Sequence, residues 1–132
     1  MRNTFAKHIT ELANKDPRII LMMGDIGNRM FDEFKSIAND KFINCGIAEA
    51  NMMSMAAGLA LSGMRPFVYT ITPFVTLRCL EQIRISVAYH NAKVILVGLP
   101  SQRPAIYPLR VLNLLFRLIF LWLAICCNQS LH

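Results

Sequence analysis

Charge is scarce in this chain: of its 132 residues only 17% are charged, while 55% are hydrophobic. Such a composition excludes intrinsic disorder, because the apolar surface is sufficient to offset the entropy of ordering the backbone. Cysteine is sparse and poorly spaced for a framework. Cys45, Cys79, Cys126 and Cys127 form no CxxC pair and have no histidine at metal-ligand spacing. Neither a zinc site nor a disulfide scaffold is favoured, and free thiols buried in a reducing cytoplasm are the expected state. The opening stretch, MRNTFAKHITELANKDPR, has no apolar core of the kind a secretory signal needs.

Acidic residues are missing altogether from the last third. Through Leu99 there are 11 Lys and Arg against 8 acids, and beyond it only Arg103, Arg110 and Arg117 carry charge, so half of the net +6 lies in the tail. In the first part cations and acids are interspersed and no basic run occurs, which argues against nucleic-acid binding. The length suits one modest domain.

Periodicity organises the first 99 residues. Phe5, Ile9 and Leu12 fall at helical steps from Thr4 to Asn14, and Asp16-Pro17 ends that helix. The run Ile19 to Met23 is continuously apolar, as in a parallel strand covered on both faces. A short helix over Met30 to Ala38 and a strand over Lys41 to Cys45 follow. The Ala- and Met-rich stretch Ala48 to Leu61 reads as a helix closed at Gly63. Pro66 to Ile71 has strand composition. Leu77, Leu80, Ile83 and Val87 mark a helix reaching Asn91, and Val94 to Val97 a fourth strand. This alternation predicts an α/β fold: a three-layer, mainly parallel sheet with helices on both faces. Ligands in such sheets bind at the carboxyl ends of strands, which directs attention to Gly24–Asn28, Gly46–Asn51 and Thr70–Arg78.

After Leu99 the character changes. Pro100, Pro104 and Pro108 precede VLNLLFRLIFLWLAICC, interrupted only by Asn113 and Arg117. A span needs about 20 apolar residues, and Arg117 leaves only Leu118 to Cys127 unbroken. Arg110, Asn113 and Arg117 share one helical face, so a very apolar amphipathic helix and a membrane association through residues 105–127 are both open.

The sharpest local string is Asn44-Cys45-Gly46-Ile47-Ala48-Glu49-Ala50-Asn51-Met52-Met53 at the end of the second strand, and Glu49 is its chemical candidate. A carboxylate among apolar neighbours can exchange a proton; equally, an acid in the first turn complements a helix dipole. His8 reads as exposed, His90 as a helix-end residue, and Met52, Met53 and Met55 as helix packing.

The strings DPRI, GDIG, KFINCGIAEANMMSMAAGLALSG, RPFVYTITPF and EQIR, in that order, resemble the pyrimidine-binding domain of transketolase-like enzymes dependent on thiamine diphosphate. The likeness covers residues 1–99, leaving 100–132 as a divergent hydrophobic tail and the domain incomplete. It implies the thiamine-diphosphate-binding fold, with Glu49 at a ring nitrogen of the cofactor's aminopyrimidine, sharing a proton with it. It further implies an aromatic stacked on that ring, assigned to Phe74 with Tyr69 as the alternative, and Asp25 and Ile47 beside the cofactor. Arg78 is a candidate for binding a sugar phosphate, or else a paired surface residue.

The family holds Mg²⁺ and the diphosphate in a different domain, which this chain lacks. The resemblance therefore implies a partner subunit that binds the diphosphate and Mg²⁺, in an assembly such as a homodimer of heterodimers in the cytoplasm, acting on sugar phosphates. A catalytically inactive truncated remnant, or a protein whose tail attaches it to a membrane or partner, is the alternative.

Overall fold

The computed structural model describes residues 2–27 and 29–99. Helix α1 (Arg2–Lys15) leads into strand β1 (Ile19–Met23), then α2 (Asp32–Ala38), a single 3-10 turn (Asn39–Lys41) and β2 (Phe42–Asn44). Helix α3 (Glu49–Leu61) and β3 (Arg65–Ile71) follow. Two short helices, α4 (Thr72–Val75) and α5 (Leu80–Gln82), come next, the latter running on into a π-helical stretch (Ile83–Tyr89) before β4 (Ile95–Leu99). All three pairings are parallel and the strand order is β2-β1-β3-β4. The predicted α/β architecture is observed.

The continuous apolar run of β1 has the structure it predicts. All five of its residues are buried, because the alternating side chains enter two separate cores. Ile19, Leu21 and Met23 join Ala6, Ile9, Phe31, Phe34 and Tyr69 under α1 and α2. Ile20 and Met22 join Met52, Met53, Ala56, Val68, Val75 and Cys79 on the α3 side. The sheet is thus the middle of three layers. Ala56 and Ala57 are buried where α3 meets the sheet, so the small residues of this helix bring its axis close to the strands.

Helix α3 ends as its sequence predicts. Gly63 takes a φ of +92°, its N–H reaches Ala60 O at 3.1 Å, and Met64 N–H reaches Leu59 O at 3.0 Å. These paired bonds satisfy carbonyls that the helix itself leaves open, and glycine adopts the left-handed residue without a Cβ penalty.

The helix expected over Leu77 to Asn91 is broken up. Pro73 opens the single turn α4, and the N–H of Arg78 reaches back five residues to Pro73 O at 3.2 Å. Regular helix resumes only at Leu80, and the π-helical pitch beyond it widens the turn. Ile83 and Val87 still pack on the α3-side core, but Leu77 and Leu80 stay exposed at 58% and 39%.

Strand β4 lies at one edge of the sheet, with Ile95 and Leu96 partly open to solvent. The expected tail, residues 100–132, lies outside the described residues, as do both readings of it. Among the described residues, no helix is long and apolar enough to cross a membrane.

Candidate functional site

In a parallel sheet all strand carboxyl ends open on one edge, and the topology decides where along that edge a crevice forms. The chain leaves β1 to one side for β2 and returns on the other side for β3, so the switch point lies between the ends of β1 and β3. Gly24 stands there, directly after β1, its N–H bonded to Tyr69 O at 3.2 Å. A Cβ at Gly24 would lie 3.1 Å from Thr70 Oγ1 and 3.6 Å from Glu49 Cγ. The absence of a side chain at this position is what lets β3 and α3 close over the end of β1.

Glu49 opens α3, with its carboxylate near the positive end of that helix. It is 3% exposed, an unusual burial for a carboxylate unless it is paired. The pairing comes from Arg78, whose Nη1 donates to Glu49 Oε2 at 2.9 Å. The same guanidinium lies over the ring of Phe74, its Cζ 3.8 Å from the ring centroid. Arg78 itself is 45% exposed. Two sequence candidates, Glu49 and Phe74, are therefore both in contact with a third, Arg78, although 29 residues separate the two charges. Of the two readings of Arg78, binder of a sugar phosphate or paired surface residue, the structure shows the ion pair with Glu49.

Asp25 and Ile47 sit on the neighbouring loops. Asp25 adopts a φ of +52°, in the left-handed region that Asp tolerates better than most residues. Its Oδ1 accepts a bond from Asn44 Nδ2 at 3.0 Å, and Asn44 Oδ1 in turn accepts the N–H of Gly46 at 3.0 Å. Asn44 thereby ties the end of β2 to the loop after β1 and shapes the turn that leads to Glu49. Ile47, on that turn, is 82% exposed.

Tyr69 is elsewhere. It is fully buried under α1 and α2, stacked on Phe5 at 5.6 Å and edge-on to Phe31 at 5.0 Å. Neighbouring strand residues face opposite sides of a sheet, so Tyr69 is turned away from α3, and Phe74 is the aromatic that shares the Arg78 guanidinium with Glu49.

Two contributors lay within the segments the sequence pointed to but were given no role by it. Thr70 is fully buried, and its Oγ1 has no hydrogen-bond partner among the described residues; a hydroxyl left in that state beside Glu49 is costly to the fold and available to a ligand. Asn44 is the other, for the reasons above. The alternation of β3 could have signalled Thr70, which shares a face with Val68.

The thiols here are quiet. Burial pushes the Cys79 thiol above its ordinary value, reinforced by the Glu49 charge, and burial does the same for Cys45. Among the described residues no group of His, Cys, Asp and Glu is placed to hold a metal ion.

Residues 1–102 match the family described as transketolase, pyrimidine binding domain. The chain is 36% identical over 99 residues to the 6-deoxy-6-sulfo-D-fructose transketolase subunit SqwH of Clostridium sp., a match covering 74% of this chain and 31% of that protein. It is 34% identical over 98 residues to an apulose-4-phosphate transketolase subunit of Phocaeicola vulgatus, with the same coverages. Human transketolase is 39% identical over 87 residues, which are 64% of this chain and 14% of that protein. Among solved structures, a split gene transketolase described as an inactive beta4 tetramer superposes with a TM-score of 0.67 at 33% identity, covering 74% of this chain and 33% of that one. The chain spans about a third of the length of the transketolase subunits it matches. With its parallel sheet and the Glu49 site at the switch point, it belongs to the family of transketolase pyrimidine-binding domains.

Proposed function

We propose that this chain supplies the pyrimidine half of a thiamine-diphosphate site for two-carbon ketol transfer between sugar phosphates, working in the cytoplasm with a second chain that binds the diphosphate and Mg²⁺. The observation that carries the reading is the Glu49 carboxylate, 3% exposed at the switch point and joined through Arg78 to the ring of Phe74. These groups fit an aminopyrimidine. Glu49 Oε2 faces a hydrogen-bond donor, Phe74 offers a ring face, and Thr70 Oγ1, without a partner among the described residues, lies on the same side of the sheet as Glu49. When bound, thiamine diphosphate supplies the electron sink that a carbon–carbon bond cleavage next to a carbonyl requires.

The residues of this chain then have definite tasks. Glu49 holds a proton against the ring nitrogen, and its burial keeps water from competing for that bond. Phe74 orients the ring by stacking, which also contributes apolar contact. Asn44, through Asp25 and Gly46, fixes the loop that carries Glu49. Exposed Ile47 on that loop supplies apolar surface at the mouth of the site.

The names of these relatives, each a transketolase subunit, and of the split gene transketolase among solved structures support a division of labour between two chains. The test is reconstitution. The purified chain with thiamine diphosphate and Mg²⁺ is expected to show no ketose-to-aldose transfer by itself, to gain it with a diphosphate-binding transketolase subunit, and to lose at least about a hundredfold of that gain in Glu49→Ala, the scale of general acid–base catalysis. Turnover by the chain alone, or full activity in Glu49→Ala, overturns the reading.

A further inference from the structure

The space between Glu49 and Phe74 is taken by the chain's own arginine. One guanidinium both donates to the buried carboxylate at 2.9 Å and lies over the aromatic ring at 3.8 Å. Those are the two contacts that the proposed function asks of an aminopyrimidine: an in-plane hydrogen bond with Glu49 and a flat face against Phe74. A guanidinium and an aminopyrimidine share the shape that makes both contacts, since each is planar, delocalised and able to hydrogen-bond within its plane. Two planar groups cannot occupy the same face of Phe74 at stacking distance.

We propose that Arg78 is an internal plug. In the chain by itself its guanidinium stands in the place of the aminopyrimidine, and it swings out to solvent when that ring enters. The inference rests on the proposed function for the identity of the ring, and on the structure for the occupant. Three features fit a movable plug. Arg78 is 45% exposed, so its outward path already faces water. It projects from the turn between α4 and α5, held by a wide 3.2 Å bond to Pro73 O, where no regular helix fixes its backbone. Finally, Glu49 would be a buried charge without a counter-ion if Arg78 were away and no ligand present, a state that is strongly unfavourable. The plug keeps the carboxylate paired until a ring nitrogen that shares a proton with it replaces the guanidinium.

The test uses the full-length chain and thiamine, which carries the aminopyrimidine without the diphosphate. Titration calorimetry is expected to show weak binding to the unaltered chain. In Arg78→Ala and Arg78→Lys, which lack the flat group, thiamine is expected to bind on the order of tenfold tighter, the scale set by a displaced cation–π contact and half-exposed ion pair. In the unaltered chain the side-chain Nε–H NMR signal of Arg78 is expected to shift and exchange faster with water as thiamine saturates; this readout stands even if the variants fold poorly. Equal or weaker binding in folded variants, or an Arg78 signal that stays put at saturation, overturns the plug and makes Arg78 a positioning residue for Glu49. If thiamine binding to the unaltered chain is weakened by Glu49→Gln, the functional reading survives that outcome. If thiamine binds none of the folded proteins, the plug and the functional reading both fall.

Discussion

Asn44 and Asp25, nineteen residues apart, are joined side chain to side chain at 3.0 Å across the carboxyl ends of β2 and β1. The bond matters because Asn44 is shared: its carbonyl oxygen simultaneously caps the turn at Gly46, three residues before Glu49. Removing it costs two hydrogen bonds at an exposed loop. Asn44→Ala is expected to lower stability by about 1–2 kcal/mol, from two bonds at the ordinary net worth of each. Asn44→Asp, which sets a carboxylate against Asp25, is expected to cost more at neutral pH than at low pH. Urea denaturation of the three proteins at both pH values checks the order.

Glycine-to-alanine changes are expected to differ in sign across the fold. A Cβ at Gly98 would lie 2.7 Å from Thr72 Oγ1 and 3.1 Å from Thr72 Cα. Because Thr72 Oγ1 also donates to Leu99 O at 2.7 Å, the clash loosens the join between β4 and α4, and Gly98→Ala is expected to cost about 1–3 kcal/mol. Gly58 lies inside α3, where a Cβ would meet nothing within 4 Å. Gly58→Ala is expected to stabilise by about 0.5–1 kcal/mol through helix propensity. Thermal melts of both variants measure the contrast.

Tyr69 and Phe74 separate stability from ligand binding. Tyr69 fills the core between Phe5 and Phe31, so Tyr69→Ala is expected to cost about 3–5 kcal/mol. Phe74 is only half-buried. Phe74→Ala is expected to cost less stability than Tyr69→Ala and to weaken thiamine binding at least severalfold; chemical denaturation paired with calorimetry decides it.

Acid is expected to loosen the α1–β1 junction through Asp16. Its carboxylate accepts bonds from the Arg18 N–H, Nε and Nη2 and pairs with Arg65 on β3 at 3.3 Å. The Arg18 side-chain bonds, first of all, hold its pKa at about 2, below the ordinary 3.8. The folded value is the depressed one, so the contribution of this group is complete above the unfolded value and disappears as pH falls from 3.8 toward about 2. Asp16→Asn is expected to be less stable at neutral pH and to lose less stability across that window. An NMR titration of the Asp16 carboxyl checks the low value directly.

Much of the layer structure was legible in single segments. An unbroken apolar run such as Ile19 to Met23 has to be covered on both faces, and Gly63 after an Ala- and Met-rich stretch has to end a helix, because these are consequences of side-chain and backbone sterics within a few residues. The GIAE string likewise put Glu49 at a strand end and singled it out. The segment after β3 was less legible: Leu77, Leu80, Ile83 and Val87 have the spacing of one regular helix, but Pro73 and the wider π pitch rotate Leu77 and Leu80 out to solvent.

By itself, then, the sequence determined the α/β alternation, the two-sided burial of β1 and the candidacy of Glu49. Tertiary structure alone decided that the switch point falls between β1 and β3, since strand order depends on how crossovers pack and is not written in any one segment. It also decided which face of β3 meets α3, sending Tyr69 into the core and leaving Thr70 beside the site. Above all it decided that Arg78 lies on Glu49 and Phe74. A contact between residues 29 positions apart comes into being only when α3 and the α4–α5 turn are brought to the same sheet edge, because the burial that makes the carboxylate need a partner is itself a product of the fold.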